Sequence, residues 1–234
     1  MMMLRDWTHP SPPPAIVVAW LVLGTLCHAQ TPDRSPQDLQ EALQRRNALV
    51  FDFSVDFIQT YEGGMLRSRV VERGTMLMKK PGRWRFDYRE PEPKLFVSDG
   101  DLLYWYLPED RQGFIGRLPD EDEATTTAMF LAGAGNVVSD FTAAFDAVQD
   151  PPPDSYVLRL TPVRTERDFE FLTLVIDAST LAIVRLISHD LQGGVSTFVF
   201  SNLQENLGLS DTSFTLEFPP GTHVNDTTRT DTRR

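Results

Sequence analysis

Few residues in this sequence could do chemistry. It holds four histidines: His9 and His28 fall in the N-terminal segment expected to be removed, and His189 and His223 have no second histidine or cysteine at ligand spacing, so a zinc site has no donor set. The single cysteine is Cys27. No GxSxG, HExxH, P-loop or GxGxxG motif occurs. Asp99 and Asp101 flank Gly100, which reads as an Asp-Gly turn and not as a general acid–base pair. The run Asp120-Glu121-Asp122-Glu123 lacks the Asp-x-Asp-x-Asp-Gly spacing of a calcium loop. It suits the start of a helix, where the dipole favours negative charge. The sequence therefore names no catalytic residue, no metal ligand and no cofactor, and the expectation is a protein that is not an enzyme.

Two features remain. The first is charge segregation. The formal charge of the 234-residue chain is −11, which argues against nucleic-acid binding through phosphates. Yet residues 67–94 carry nine basic side chains against four acids, either as solvated strand faces or as a surface for an anionic partner. The second is a set of aromatic and methionine side chains, with one valine, at alternating positions: Phe51, Phe53, Val55 and Phe57, then Met76 and Met78, then Trp84 and Phe86, and finally Trp105. Such residues fill an ordinary sheet core or line an apolar ligand cavity, since methionine adapts to irregular shapes. Periodicity does not separate the two.

The elements that must position these side chains follow from the same pattern. Ser35-Pro36-Gln37-Asp38 is a helix start with serine as N-cap, proline at N1 and an acid at N3, and Leu39, Ala42 and Leu43 give the helix one apolar stripe to about Asn47. The period then becomes two. Phe51, Phe53, Val55 and Phe57 alternate with Asp52, Ser54 and Asp56, and Trp84, Phe86 and Tyr88 alternate with Arg83, Arg85 and Asp87, as in half-buried strands. Further short strands are expected at residues 95–97, 102–107, 114–118, 156–160, 169–176, 183–187, 195–200 and 214–218, between Gly, Pro and Asp-Gly breaks. Residues 124–131 and 137–145 read as short helices on either side of Ala132-Gly133-Ala134-Gly135. The plan is one antiparallel sheet of about ten or eleven strands with an N-terminal helix and a helical insertion.

Residues 15–26 (AIVVAWLVLGTL) form twelve apolar or small positions, about 18 Å as a helix against a hydrocarbon core of about 30 Å. That length suits a signal-peptide core, and Cys27 and Ala29 offer small residues at −3 and −1 for cleavage before Gln30. Leu26 before Cys27 does not suit a lipid-attachment box. The expected organisation is a signal peptide at 1–29, one domain at 30–226 and a loose polar tail at 227–234.

Several stretches resemble the outer-membrane lipoprotein carrier protein (LolA) family. They are Phe57-Ile58-Gln59, residues 74–88 (GTMLMKKPGRWRFDY), residues 91–100 (PEPKLFVSDG) and Leu103-Tyr104-Trp105-Tyr106. Weaker matches continue at residues 158–162, 171–177, 190–193 and 214–220, so the resemblance spans residues 35–224. It implies an unclosed antiparallel β-barrel covered by a helical lid. It also implies a soluble periplasmic carrier, a monomer without a cofactor, that shelters the acyl chains of lipoproteins. Its partners would be the acylated lipoproteins, an inner-membrane lipoprotein-releasing transporter and an outer-membrane lipoprotein receptor. On this reading the aromatic and sulfur residues above line the acyl cavity. Met129, Phe130 and Leu131 belong to the lid, for which the N-terminal helix is a second candidate. Lys80 stands where the family has an arginine that engages the lid, and lysine offers a point charge without the planar fork. Trp84 takes the place of a family aromatic near the cavity mouth, and truncating it is expected to cost less stability than truncating Phe86. The alternatives are a periplasmic lipid or lipoprotein sensor of the same fold, or a lipid-binding envelope protein with no transfer role.

Overall fold

Ser35 accepts a hydrogen bond from the Asp38 amide at 3.1 Å, and the Asp38 carboxylate accepts one from the Ser35 amide at 3.1 Å. This reciprocal cap opens helix α1 (Pro36–Ala48). The computed structural model describes residues 34–63, 68–118, 136–166 and 168–228. The expected signal peptide and the lid residues Met129, Phe130 and Leu131 lie outside them.

After α1 come β1 (Asp52–Gly63), β2 (Ser68–Lys79), β3 (Arg83–Glu90), β4 (Lys94–Asp99), β5 (Leu102–Leu107) and β6 (Gln112–Arg117). A one-turn helix α2 (Val137–Asp140) precedes β7 (Phe141–Phe145), β8 (Ser155–Pro162), β9 (Phe171–Asp177), β10 (Ile183–His189), β11 (Val195–Glu205) and β12 (His223–Asp226). All twelve strands form one sheet in the order β12-β6-β5-β4-β3-β2-β1-β11-β10-β9-β8-β7. The sheet stays open, with β12 and β7 at its edges. Every pairing is antiparallel except β12 with β6, which is parallel.

Cross-strand partners in a sheet share a face. The row Val55, Met76, Phe86, Phe96, Trp105 and Phe114 therefore lies on one side, set by the registers of β1 through β6. With Leu158, Leu160, Leu172, Leu174, Ile176 and Leu186 from the second half of the chain, this inner face makes the buried core, closed on one side by Leu39 and Leu43 of α1. Gly74 stands between Phe57 and Tyr88 in the pairing, and a Cβ there would come within 2.8 Å of the Phe57 ring. The missing side chain is what lets those two rings meet edge to face across β2, at 5.0 Å.

The edge strand β7 is not left bare. Gln40 of α1 donates to the carbonyls of Val137 at 2.6 Å and Phe141 at 2.7 Å, and Gln37 donates to that of Ala143 at 3.3 Å. Carbonyls that could template another strand are thus taken up by the helix.

Four expectations need correction. The second expected helix stops at Asp140. Phe141 turns extended (φ −134°, ψ 147°), and residues 141–145 pair with β8 instead. The apolar spacing in 137–145 suits either period, and pairing with β8 decides it. The expected strand at 214–218 is absent. Asp211–Phe214 form a 3-10 turn with Phe214 fully buried, and the Phe218 ring packs against Gly113. The tail does not loosen at residue 227. Thr227 donates from both its amide and its hydroxyl to the Ile115 carbonyl, and Thr228 is bonded to Asp226. Finally, the described residues hold twelve strands, because β7 and β12 add edges that their composition does not announce.

The basic window disperses into ion pairs: Arg73 with Glu90, Arg85 with Asp87, Lys94 with Glu72, and both Lys79 and Arg83 with Asp211. The pairs made by Arg73, Arg85, Lys79 and Arg83 lie on the more exposed strand face, whereas Glu72 and Lys94, with side chains 17% and 25% exposed, are cross-strand partners of the inner-face residues Gln59 and Tyr88.

Candidate apolar ligand cavity

Between the last turns of α1 and the inner face of the sheet lies a cavity of about 110 Å³. Leu43 and Asn47 of α1 roof it, Phe53, Val55 and Met76 form one wall, and Leu174, Ile183, Phe200 and Leu203 form the other. Its size is comparable to the roughly 150 Å³ apolar cavities that accept benzene, and below the several hundred Å³ of sites for drug-sized ligands. A long hydrocarbon chain enters only if the roof moves. The apolar surface does not end there. An aromatic row runs across the inner face from Phe198 to Phe57 (5.8 Å between centroids), Tyr88 (5.0 Å), Phe96 (5.8 Å), Trp105 (6.0 Å) and Phe114 (5.4 Å). Trp105, at 39% exposed, leaves the far end of this row open to solvent.

Of the side chains assigned to the cavity from sequence, Phe53, Val55 and Met76 line it. Phe57, Met78, Trp84 and Phe86 are instead packed within the adjoining core, and Trp105 lies on the open part of the inner face. Phe51 is a correction: it is 68% exposed and lies outside the cavity. Strand β1 begins one residue later, and the Phe51 amide and carbonyl are tied to Asn206 and Lys80, so the alternation does not extend back to it. Sequence reasoning missed Leu43, Leu174, Ile183, Phe200 and Leu203. Their signal was present in the stripe of α1 and the alternation of the later strands, but nothing in the sequence says that β11 pairs with β1.

Lys80 contacts α1. Its Nζ donates to the Asn47 carbonyl at 2.5 Å and to Asn47 Oδ1 at 3.1 Å. A cation at the C-terminal carbonyls of a helix is favoured by the helix dipole. Burial pushes the Lys80 ammonium below its ordinary pKa. Arg46, one residue earlier on the helix, donates to Glu205 at 2.7 Å and to the Thr180 carbonyl at 2.8 Å. The C-terminal end of the roof is therefore held by polar contacts, whereas Leu39, fully buried, anchors its start. Any contact of Lys80 or Trp84 with Met129 or Phe130 lies outside the described residues. Trp84 is only 6% exposed and packs edge to face on Phe86 at 5.6 Å, so the expectation that it matters less to stability than Phe86 is not supported by its burial.

Comparison with known proteins bears on the same strands. A family model described as outer membrane lipoprotein carrier protein LolA matches residues 49–217. The chain is 28% identical over 176 residues to an outer-membrane lipoprotein carrier protein of Chromohalobacter salexigens, covering 75% of this chain and 80% of that one. It is 25% identical over 207 residues to a protein of the same name from Methylococcus capsulatus, covering 87% and 95%. Among solved structures, an uncharacterized conserved protein from Thermus thermophilus shares the fold, with a TM-score of 0.50 at 12% identity over 81% of this chain and 98% of that one. The matched residues run from the turn after α1 past the 3-10 turn at Asp211–Phe214, and so take in both walls of the cavity; this chain belongs to the outer membrane lipoprotein carrier protein LolA family.

Proposed function

We propose that this protein is a non-catalytic periplasmic carrier. It takes acylated lipoproteins from an inner-membrane transporter, shelters their acyl chains, and yields them to an outer-membrane receptor. The observation that carries this reading is the apolar cavity roofed by a helix whose far end is held by polar contacts. At about 0.8 kcal/mol per CH₂, one sixteen-carbon chain in water costs roughly 12 kcal/mol, so a soluble carrier must cover it. It must also release it. A roof held at one end by Lys80 and Arg46 opens there first, because those bonds exchange with water at little net cost, while Leu39 and Leu43 keep the helix attached.

The test is transfer of a radiolabelled lipoprotein from donor to acceptor membranes by the purified protein. Wild-type protein is expected to carry cargo across. Lys80→Leu removes a contact worth about 1 kcal/mol, discounted for its partial exposure, and is expected to raise the release rate about fivefold. If wild-type protein binds acylated peptide yet transfers nothing, it binds lipid without a transfer role.

A further inference from the structure

Beyond the cavity the inner face changes character. Gln59 lies two residues past Phe57 and about 13 Å along β1 from Val55 at 3.3 Å per residue. Tyr88 donates its hydroxyl to Gln59 Oε1 at 2.6 Å, and Gln59 Nε2 donates to the Ser196 hydroxyl at 3.1 Å. Glu72 is the cross-strand partner of Gln59, and Lys94 that of Tyr88. Glu72 and Lys94 form an ion pair with side chains only 17% and 25% exposed, and the Lys94 ammonium sits over the Tyr88 ring at 4.5 Å. Burial, helped by the Glu72 charge, pushes the Tyr88 phenol upward, so it stays a neutral donor. This is a polar pad at the end of an apolar track, on the same face.

Its chemistry is selective. The ion pair cancels its own charge, and Glu72 makes the place unfavourable for a phosphate. Besides the N–H groups of Lys94, whose charge Glu72 balances, the pad offers two neutral donors, the Ser196 hydroxyl hydrogen and the second Gln59 amide hydrogen, and an ester carbonyl can accept from both. We propose that this pad binds the ester carbonyls of a neutral diacylglyceryl group while the hydrocarbon runs toward the cavity. The inference rests on the carrier reading and says which part of the cargo is read and where. An apolar track alone holds any chain; a pad of donors at a fixed distance from it distinguishes an ester-linked chain from bare hydrocarbon.

The experiment compares two probes by displacement of a fluorescent fatty acid: dioctanoylglycerol, and the dioctyl glycerol diether that lacks only the carbonyl oxygens. Dioctanoyl phosphatidic acid is the third arm. Wild-type protein is expected to prefer diester over diether about fivefold to tenfold, the effect of one or two hydrogen bonds, and to disfavour the phosphatidic acid. Gln59→Leu and, independently, the smaller change Ser196→Ala should bring the diester-to-diether ratio close to one. A wild-type ratio of one, a ratio unchanged in both variants, or a preference for the phosphatidic acid would overturn the pad and leave the carrier reading intact. Failure of both neutral lipids to displace the probe would overturn both.

Discussion

Phe57→Ala is expected to destabilise the protein by about 3–5 kcal/mol, the range for truncating a buried aromatic. Phe57 is 2% exposed and lies at the centre of the aromatic row, with Phe86, Tyr88 and Phe198 all within 5.9 Å between centroids. Few sites combine such burial with so many aromatic partners, and Gly74 beside it offers no side chain to fill the void. Urea denaturation followed by tryptophan fluorescence measures this. The loss should appear as a shifted midpoint with an unchanged slope. A change under about 1 kcal/mol would mean that the inner face relaxes freely and that the row is not a packed unit.

Trp84→Ala should be comparably costly, about 3–5 kcal/mol, because Trp84 is buried against Phe86. Trp84→Phe separates packing from polarity. The Trp84 Nε1–H is buried with no acceptor among the described residues. Burying an unpaired donor costs about 1–3 kcal/mol, so losing it offsets much of the lost ring area. The phenylalanine variant is expected to stay within about 1 kcal/mol of wild type in the same denaturation series. If Trp84→Phe were as damaging as Trp84→Ala, the indole N–H would be making a bond that matters.

Local patterns were legible in the sequence. Ser35, Pro36 and Asp38 announce α1, and the alternation about Phe53, Val55 and Phe57 and about Trp84, Phe86 and Tyr88 announces β1 and β3 with the correct inner face. What was not legible depends on partners distant in the chain. The second wall of the cavity exists because β11 pairs with β1, a contact between residues more than a hundred apart that no local period encodes. Phe51 fits the alternation by type, yet lies before the strand because α1 ends only at Ala48 and Asn206 bonds both the Phe51 amide and the Leu49 carbonyl. The sequence likewise does not show that Lys80, and not its neighbour Lys79, reaches the last turn of α1, nor that three α1 glutamines, Gln37, Gln40 and Gln44, bond to backbone atoms of β7 and α2.

In the proposed carrier an acyl chain occupies the space beneath the C-terminal half of α1. A lipopeptide carrying a photoreactive group within its acyl chain reports this occupancy, with the adducts located by mass spectrometry. Adducts are expected on cavity residues such as Phe53, Met76, Phe200 and Leu203, with their loss on competition by unlabelled lipopeptide but not by the unacylated peptide. Adducts confined to the outer face, for instance at the exposed and paired Ile58 and Val199, would contradict it.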